Sequence, residues 1–484
     1  MEIVLTAERC LMSNYNGMLF IGFMSCAPKN LIPSKIFFNL LFPPVKVRDG
    51  RALLAPYGTR KIEAALIDSG FDVIVVPPER IGKFIDKAKI IGVTSNDPLG
   101  LGPASTTFAG KHGLVKEEPY NAYCFRNLMS TIRKSKAKIA VGGAGAWQLA
   151  DEKIMKELGI DIVVIGEGEK TVPEIFGRIL NGEDLRGIFY GEVVEKFPTI
   201  KGAAIGGIVE IARGCGRGCK FCQPTLQRLR NRNLEEIIKE AEINARFNDF
   251  VTLHAEDVLR YKADGFRINE EEVLKLFSSV AKISRVGISH FSLASLASAE
   301  KVIEEISEIL GIPNKEQPWL SGQTGIETGS VRIVKEYMPG KVLPFKPEEW
   351  CEVVEQAFGI CSDNHWVPCA TLVIGFPKET EDDVMRTIEL LDRLKGYKSL
   401  IVPLFFVPLS SLKDQKPFTS EDLKPYHWSL LLKCFEHDIR WLRVIAEEYL
   451  ARMPVLPRAF LKRFINWAIK EGEKRLKEII RVAR

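Results

Sequence analysis

The chain has 484 residues, 46% of them apolar and 27% charged, with a formal net charge of +5. This is an ordinary composition for a soluble globular protein, and the length suffices for two or three domains with sizeable cores. No basic stretch precedes an apolar one at the N-terminus, the apolar run near Leu400 to Leu409 is broken by Pro403 and Pro408, and ten cysteines in so long a chain are no disulfide framework. A cytoplasmic enzyme is therefore expected, and a pI near 8.5 gives no sign of nucleic-acid binding.

The first fifty residues read as an opening strand and a long loop, with Leu11–Gly17 and Phe37–Val45 placed to line a cavity. From Arg51 to about Asp184 short β-branched runs alternate with amphipathic stretches, the pattern of a parallel sheet built from βα units. Strands are expected at Ala52–Ala55, Val73–Val76, Ile90–Thr94, Ile139–Gly143 and Ile162–Gly166, with helices such as Ile62–Ser69 and Thr171–Leu180 between them. In such a doubly wound domain, taken as residues 1–186, the ligand crevice lies at the carboxyl ends of the strands. Small and polar residues gather there: Thr94, Asn96 and Asp97, then Gly142 and Gly143, then Gly166, Glu167 and Gly168. Glycine lets a ligand approach the backbone, but no GxGxxG fingerprint follows the first strand, which weakens a nicotinamide reading.

Residues 187–204 read as a linker. Beyond them lies Arg213-Gly-Cys-Gly-Arg-Gly-Cys-Lys-Phe-Cys222, which sets Cys215, Cys219 and Cys222 in CxxxCxxC spacing. Three thiolates on one short loop can hold three irons of a 4Fe–4S cluster and leave the fourth open. A structural zinc site would need a further ligand pair, and none stands nearby in sequence. Cys10, Cys26, Cys124, Cys351, Cys361, Cys369 and Cys434 are scattered without paired spacing and are expected to be small buried hydrophobes.

CxxxCxφC resembles the signature of the radical S-adenosylmethionine (SAM) superfamily, which implies that SAM chelates the open iron and is cleaved to a 5′-deoxyadenosyl radical. Residues 205–410 again alternate strands with helices and are expected to form a partial or full (β/α) barrel. Leu253-His-Ala-Glu256 resembles the element that contacts the SAM amino group, making Glu256 the candidate. Gly325-Ile-Glu-Thr-Gly-Ser330 resembles the ribose-contacting segment, with Glu327 as acceptor, and Thr371–Glu379 resembles the strand packing on adenine, with Gly375 permitting close approach. Tyr261 and Cys369 are candidate catalytic residues near strand ends, alongside His254, Asp257 and His290, which could orient substrate or relay a proton.

A doubly wound domain with Gly142-Gly143 and Gly166-Glu-Gly-Glu169 at its strand ends, placed before this motif, looks like the cobalamin-binding domain of archaeal-type, class B radical SAM methyltransferases. The chain departs from the wider cobalamin pattern in lacking Asp-x-His-x-x-Gly; His112 has the wrong context, so no histidine is expected beneath cobalt. The resemblance implies SAM, a 4Fe–4S cluster, cobalamin and an external one-electron reductant of ferredoxin or flavodoxin type. Its implied activity is methylation of an unactivated sp3 carbon, for example a protein glutamine as in methyl-coenzyme M reductase, through a 5′-deoxyadenosyl radical and methylcobalamin. Ring formation on archaeal isoprenoid lipids, and a non-catalytic electron-transfer or cofactor-sensing module, are the alternatives.

Residues 411–484 read as helical. The last 24 carry eight basic and three acidic residues, a surplus equal to the net charge of the whole chain, and their apolar positions recur at helical spacing. Such a helix, bearing Trp467, can lie on an anionic membrane surface, dock a partner, or pack on the barrel with its basic face in water.

Overall fold

The computed structural model describes residues 2–17, 19–222 and 228–451 and, of the last stretch, 458–459, 462–463, 465–467 and 469–474. The chain divides into two compact units: residues 1–211 with 232–253 and 282–285, and residues 212–231 with 254–281 and 286–484.

The first unit is built on a parallel sheet of six strands: β1 (Ile3–Ala7), β2 (Val73–Val75), β3 (Ile90–Thr94), β4 (Lys138–Gly142), β5 (Ile162–Ile165) and β6 (Gly187–Tyr190). Their order is β2-β1-β3-β4-β5-β6, with Ile3 level with both Val73 and Ile90, and Thr94 level with Gly142. The chain leaves β1 toward β2 on one side and returns as β3 on the other, so the carboxyl ends of β1 and β3 flank the topological switch point where open α/β sheets form their crevice. Runs such as Ile-Val-Leu-Thr-Ala in β1 are buried at every position, as a sheet covered on both faces requires. Val4, Ile74, Ile91, Val93, Ile139 and Val141 pack with Phe125, Leu128 and Met129 of the helix Tyr120–Ile132 on one face.

Three expectations change. Ala52–Ala55 is not a strand of this sheet: Arg51–Ala52 closes a hairpin with Val47–Arg48, and Leu54–Ala55 pairs with Ala203–Ala204. The cause is the Asp49-Gly50 turn, whose two residues take φ +50° and +78°, the positive pair that a two-residue hairpin needs. The place in the sheet belongs to the opening strand β1. Gly187–Tyr190, expected in a linker, is the edge strand β6, paired with β5. The first compact unit also continues past residue 204 to Ile211 and takes in 232–253. Thr171–Leu180 is helical as expected, and the helix expected at 62–69 begins five residues earlier, at Tyr57 after Pro56.

Topology also joins residues that sequence left apart. The Sγ atoms of Cys10 and Cys124 lie 3.5 Å apart in the first unit's interior. Glu240 is fully buried there between two cations, with Lys61 Nζ at 2.8 Å and Arg232 Nη1 at 2.9 Å, and accepts from the Tyr57 hydroxyl at 2.8 Å.

Along the rest of the described chain the strands β7 (Ile208–Glu210), β8 (Phe250–His254), β9 (Arg285–Ile288), β10 (Leu320–Glu327), β11 (Trp366–Ile374) and β12 (Leu400–Phe405) alternate with helices. In the second unit β10, β11 and β12 form a parallel sheet in that order, extended by a bridge from His290 to Gln323. The pleat sorts this sheet into two faces. On β11 Ala370, Leu372 and Ile374 are buried, the face on which the helix Trp350–Asp363 packs, while Cys369, Thr371 and Val373 are partly open. Leu400, Val402 and Leu404 of β12 and Ser321, Gln323 and Gly325 of β10 are likewise partly open. The edge strand β12 is covered by the helix Pro425–Leu450, whose Asp438 accepts from the Ile401 amide at 2.7 Å and whose His437 meets Ser399 at 2.8 Å.

Most of the amphipathic stripe expected at 461–484, including positions 461, 464, 468, 476, 479, 480 and 483, lies outside the described residues; Trp467 is half exposed. No helix among the described residues is long and apolar enough to cross a membrane.

The Glu240 arrangement gives a stability prediction. Replacing Glu240 by Ala leaves two buried cations facing one another, and about 3–5 kcal/mol of folding stability should be lost. Denaturant unfolding monitored by circular dichroism measures it, and a loss below about 1 kcal/mol would show the network to be dispensable.

Candidate active site

The cysteine loop lies wholly in the second unit. Its ends are held by a short antiparallel ladder between Ala212–Arg213 and Arg230–Asn231. Gly214, Gly216 and Gly218 adopt φ of +78°, +68° and +70°, a left-handed backbone that side chains strain and that coils the loop. Residues 223–227 of the loop are not among those described.

Two buried guanidiniums fix the coil. Arg217, between the first two cysteines, donates to the carbonyls of Gly340, Lys341 and Leu343 at 3.2, 3.0 and 2.7 Å and to Ser295 Oγ at 2.8 Å, with Asp257 at 3.5 Å. Arg260 donates to the Cys215 carbonyl and stacks over Phe266, 4.6 Å from the ring centroid. The Lys220 amide donates to Tyr337 O at 2.9 Å. Phe221, the aromatic residue of the motif, meets Phe376 edge-on at 5.5 Å within a cluster of Ile333, Tyr337 and Phe406.

Among the described residues no three metal-binding side chains already converge around one point. The donor set nevertheless suits an iron–sulfur cluster. Burial pushes the Cys222 thiol up to about 12, and negative charge on Cys215, Glu256 and Cys219 pushes the same way. Burial and Cys215 likewise raise Cys219, against the pull of Lys341 and Arg217. Three soft donors that repel one another once ionised form a site whose missing countercharge is cationic, which iron supplies.

Glu256 thus stands within electrostatic reach of Cys222. Glu327 ends β10 at a register shift with φ +63°; its carboxylate accepts from Lys341 Nζ at 2.8 Å and from Thr371 Oγ1 at 3.1 Å. The following turn is anchored by Ser330 donating to Asp383 at 2.5 Å and by the Gly329 amide donating to Thr387 Oγ1 at 2.9 Å. Burial pulls the Lys341 ammonium down, but Glu327 and Cys219 outweigh it and hold it charged.

The space beside Gly375 is filled by Phe418, to whose ring a Cβ there would come within 2.0 Å, so the close approach is that of a phenylalanine. Asp257 is a positioning residue: it accepts from Ser295 Oγ at 2.6 Å and from the Ser292 amide at 3.2 Å while facing Arg217. Tyr261 is fully buried. Cys369 lies on the partly open face of β11, where burial, reinforced by Asp438, pushes its thiol up to about 12 and keeps it protonated at neutral pH. His254 and His290 face each other with ring centroids 5.8 Å apart. Arg217, Arg260 and Lys341 were missed by sequence reasoning, although Arg217 sits inside the motif itself.

In the first unit the strand-end residues divide by task. Asp97 is saturated, accepting from Gly102 N, Gln148 Nε2, Ser105 Oγ and Asn121 Nδ2 at 2.5–2.9 Å. Glu167 is buried and accepts from the Val194 amide at 3.2 Å. A Cβ on Gly143 would lie 2.6 Å from Ser95 O, and one on Gly168 2.9 Å from Ile62 Cδ1, so both serve internal packing. Thr94 takes a bond from Thr59 Oγ1 at 2.9 Å. Asn96 is exposed, a Cβ on Gly142 or Gly166 would meet its nearest neighbour only at 3.7 or 3.6 Å, and these three remain open to a ligand. Beside them, at the end of β1, burial raises the Glu8 carboxyl to about 8, with Asp97 adding to the effect.

Residues 209–391 match the model of the radical SAM superfamily, a match that implies a 4Fe–4S cluster and SAM. A tRNA-2-methylthio-N(6)-dimethylallyladenosine synthase of Syntrophomonas wolfei is 25% identical over 291 residues, 55% of this chain and 59% of that protein. A putative methylthiotransferase of Methanocaldococcus jannaschii is 26% identical over 291 residues, 55% of this chain and 60% of that one. An uncharacterized methyltransferase of Pyrococcus horikoshii is 26% identical over 348 residues, 64% and 67% of the two chains. The chain thus spans about six tenths of the length of the first two relatives. In fold it is similar to TsrM, a radical SAM methyltransferase from Kitasatospora setae solved with cobalamin and a [4Fe-4S] cluster, with a TM-score of 0.55, 14% identity and coverage of 85% of this chain and 74% of that one.

The grip on the loop and the buried Glu8 are each open to test. Arg217→Met keeps the side chain's bulk but removes its hydrogen bonds, so iron bound after anaerobic reconstitution should fall and cluster affinity drop roughly 10- to 100-fold, as read by iron assay and the absorbance of the cluster. Glu8 keeps its proton in the folded protein up to about pH 8 but loses it near 4.5 when unfolded; its contribution to stability is therefore complete below that window and is lost as pH rises across it. Glu8→Gln should abolish this slope in urea midpoints measured between about pH 5 and 8, and an unchanged slope would show that Glu8 is not its source.

Proposed function

We propose that the protein is a cobalamin-dependent radical SAM methyltransferase acting on an unactivated carbon. The observation that carries this reading is the coiled loop of Cys215, Cys219 and Cys222, gripped by Arg217 and Arg260 inside the matched radical SAM stretch. The six-stranded sheet with its β1/β3 switch point, on a chain whose fold is similar to that of TsrM, supports cobalamin as the further cofactor.

When bound, the cluster with SAM supplies a carbon-centred oxidising radical and cobalamin supplies the methyl group. The chain's own residues bind and orient. Cys215, Cys219 and Cys222 hold iron, Glu256 receives the SAM amino group, and Glu327, positioned by Lys341, accepts from ribose hydroxyls. Thr94, Asn96, Gly142 and Gly166 line the place for cobalamin; Asp97, Gly143, Glu167 and Gly168 hold that lining in shape, and Gly375 keeps Phe418 packed on the barrel strand. The finer proposals are a protein side chain such as glutamine as substrate, a ferredoxin- or flavodoxin-type reductant, and a cytoplasmic location. Methylthio transfer is the second reading, favoured by the methylthiotransferase relatives.

Anaerobic reconstitution with iron, sulfide and hydroxocobalamin, followed by desalting, tests the proposal. The expected outcome is close to one cobalamin per chain and 5′-deoxyadenosine formation from SAM with dithionite, with deoxyadenosine abolished in Cys219→Ser. An intact cluster with no retained cobalamin would overturn the methyltransferase reading, and absence of deoxyadenosine would leave only an electron-transfer or sensing module.

A further inference from the structure

The open face of β10–β12 carries a gradient in polarity. Gln323 and Cys369 share a register row with His290 on one side and Leu400 on the other. Val373, Val402 and Leu404 of the same face are apolar and partly open. No position of that face on β11 or β12 bears a charge.

At the polar end stands His254, two residues before Glu256 and half buried. Its Nδ1 lies 2.9 Å from Ser289 Oγ. That hydroxyl donates its one proton to the Ala255 carbonyl at 3.2 Å and accepts from the Ala255 amide at 3.3 Å. All three contacts of the Ser289 hydroxyl are satisfied together only when Nδ1 is the donor to Oγ, the tautomer whose lone pair lies on Nε2. Among the described residues Nε2 takes no hydrogen bond. Behind it, His290 Nδ1 is buried without a hydrogen-bond partner. Burial and His254 together push the His290 imidazole down to about 3, so the second ring adds no charge.

We infer that His254 Nε2 is a substrate-binding atom, and that this face takes an uncharged group presenting an N–H or O–H donor on an apolar body. The donor meets Nε2, and the apolar part extends toward Val373, Val402 and Leu404. Ser289 is a positioning residue that sets the tautomer through the other ring nitrogen. This deepens the radical SAM reading by naming a substrate class for it.

Indole and 1-methylindole form a suitable probe pair, alike in apolar body and differing in the N–H. Reconstituted protein is treated with diethyl pyrocarbonate, which acylates an unprotonated imidazole nitrogen, and modification at each of the six histidines is followed by mass spectrometry. His254 is expected to react and His290 to stay unmodified; saturating indole should slow the His254 reaction at least tenfold, and 1-methylindole should not. Ser289→Ala should keep His254 reactive but lose the preference for indole, and Ser289→Thr should restore it. An unreactive His254, equal protection by both probes, or no protection by either overturns the inference. Deoxyadenosine formation by the wild-type protein is scored separately, so that its failure sinks the radical reading while the labelling still reports on the site.

Discussion

The second unit depends on holding an irregular, glycine-coiled loop in one shape. Beyond the short ladder at its ends, the loop is tied to the rest of the unit by guanidiniums withdrawn from water. Arg217 spends its donors on three consecutive-segment carbonyls and a serine hydroxyl, while Arg260 reaches the carbonyl of the first cysteine. Each planar fork locks several groups at once, something the more compact lysine ammonium does not do with the same geometry. The positions of Cys215, Cys219 and Cys222, and hence any cluster they hold, follow from that grip.

The same economy runs through the neighbouring acids. Glu327 sits in a left-handed backbone conformation at a register shift, a strained position made tenable by its own bonds to Lys341 and Thr371 and by the anchoring of Gly329 to Thr387 and of Ser330 to Asp383. Lys341 in turn lies in the field of both Glu327 and the cysteines. Charge around the loop is therefore arranged as alternating partners, so that ionised thiolates would meet cations as well as one another.

In the first unit the polar strand ends separate into structural and open groups. Asp97 and Glu167, conspicuous in sequence, have their oxygens engaged by the chain itself, whereas Asn96, Gly142 and Gly166 leave room. The difference lies in what the neighbouring loop offers: Gln148, Ser105 and Asn121 come from three separate segments to meet one aspartate. Such convergence has no signature along the chain.

Local order was legible in the residues. The β-branched runs announced β3 and β5, periodic apolar spacing announced the helix Thr171–Leu180, and CxxxCxxC set three cysteines on one short loop, because each rests on spacing along one segment. The hairpin at Asp49-Gly50 was equally local and was passed over for a strand. What only the tertiary structure decided were meetings between distant segments: β1 inserted between β2 and β3, Cys10 against Cys124, Arg217 against residues 340–343, Phe418 over Gly375, and Ser289 fixing the ring of His254. Periodicity and spacing are set by the geometry of one helix, strand or loop, whereas the partner of a buried charge or of a bare glycine is whatever the packed chain brings to it.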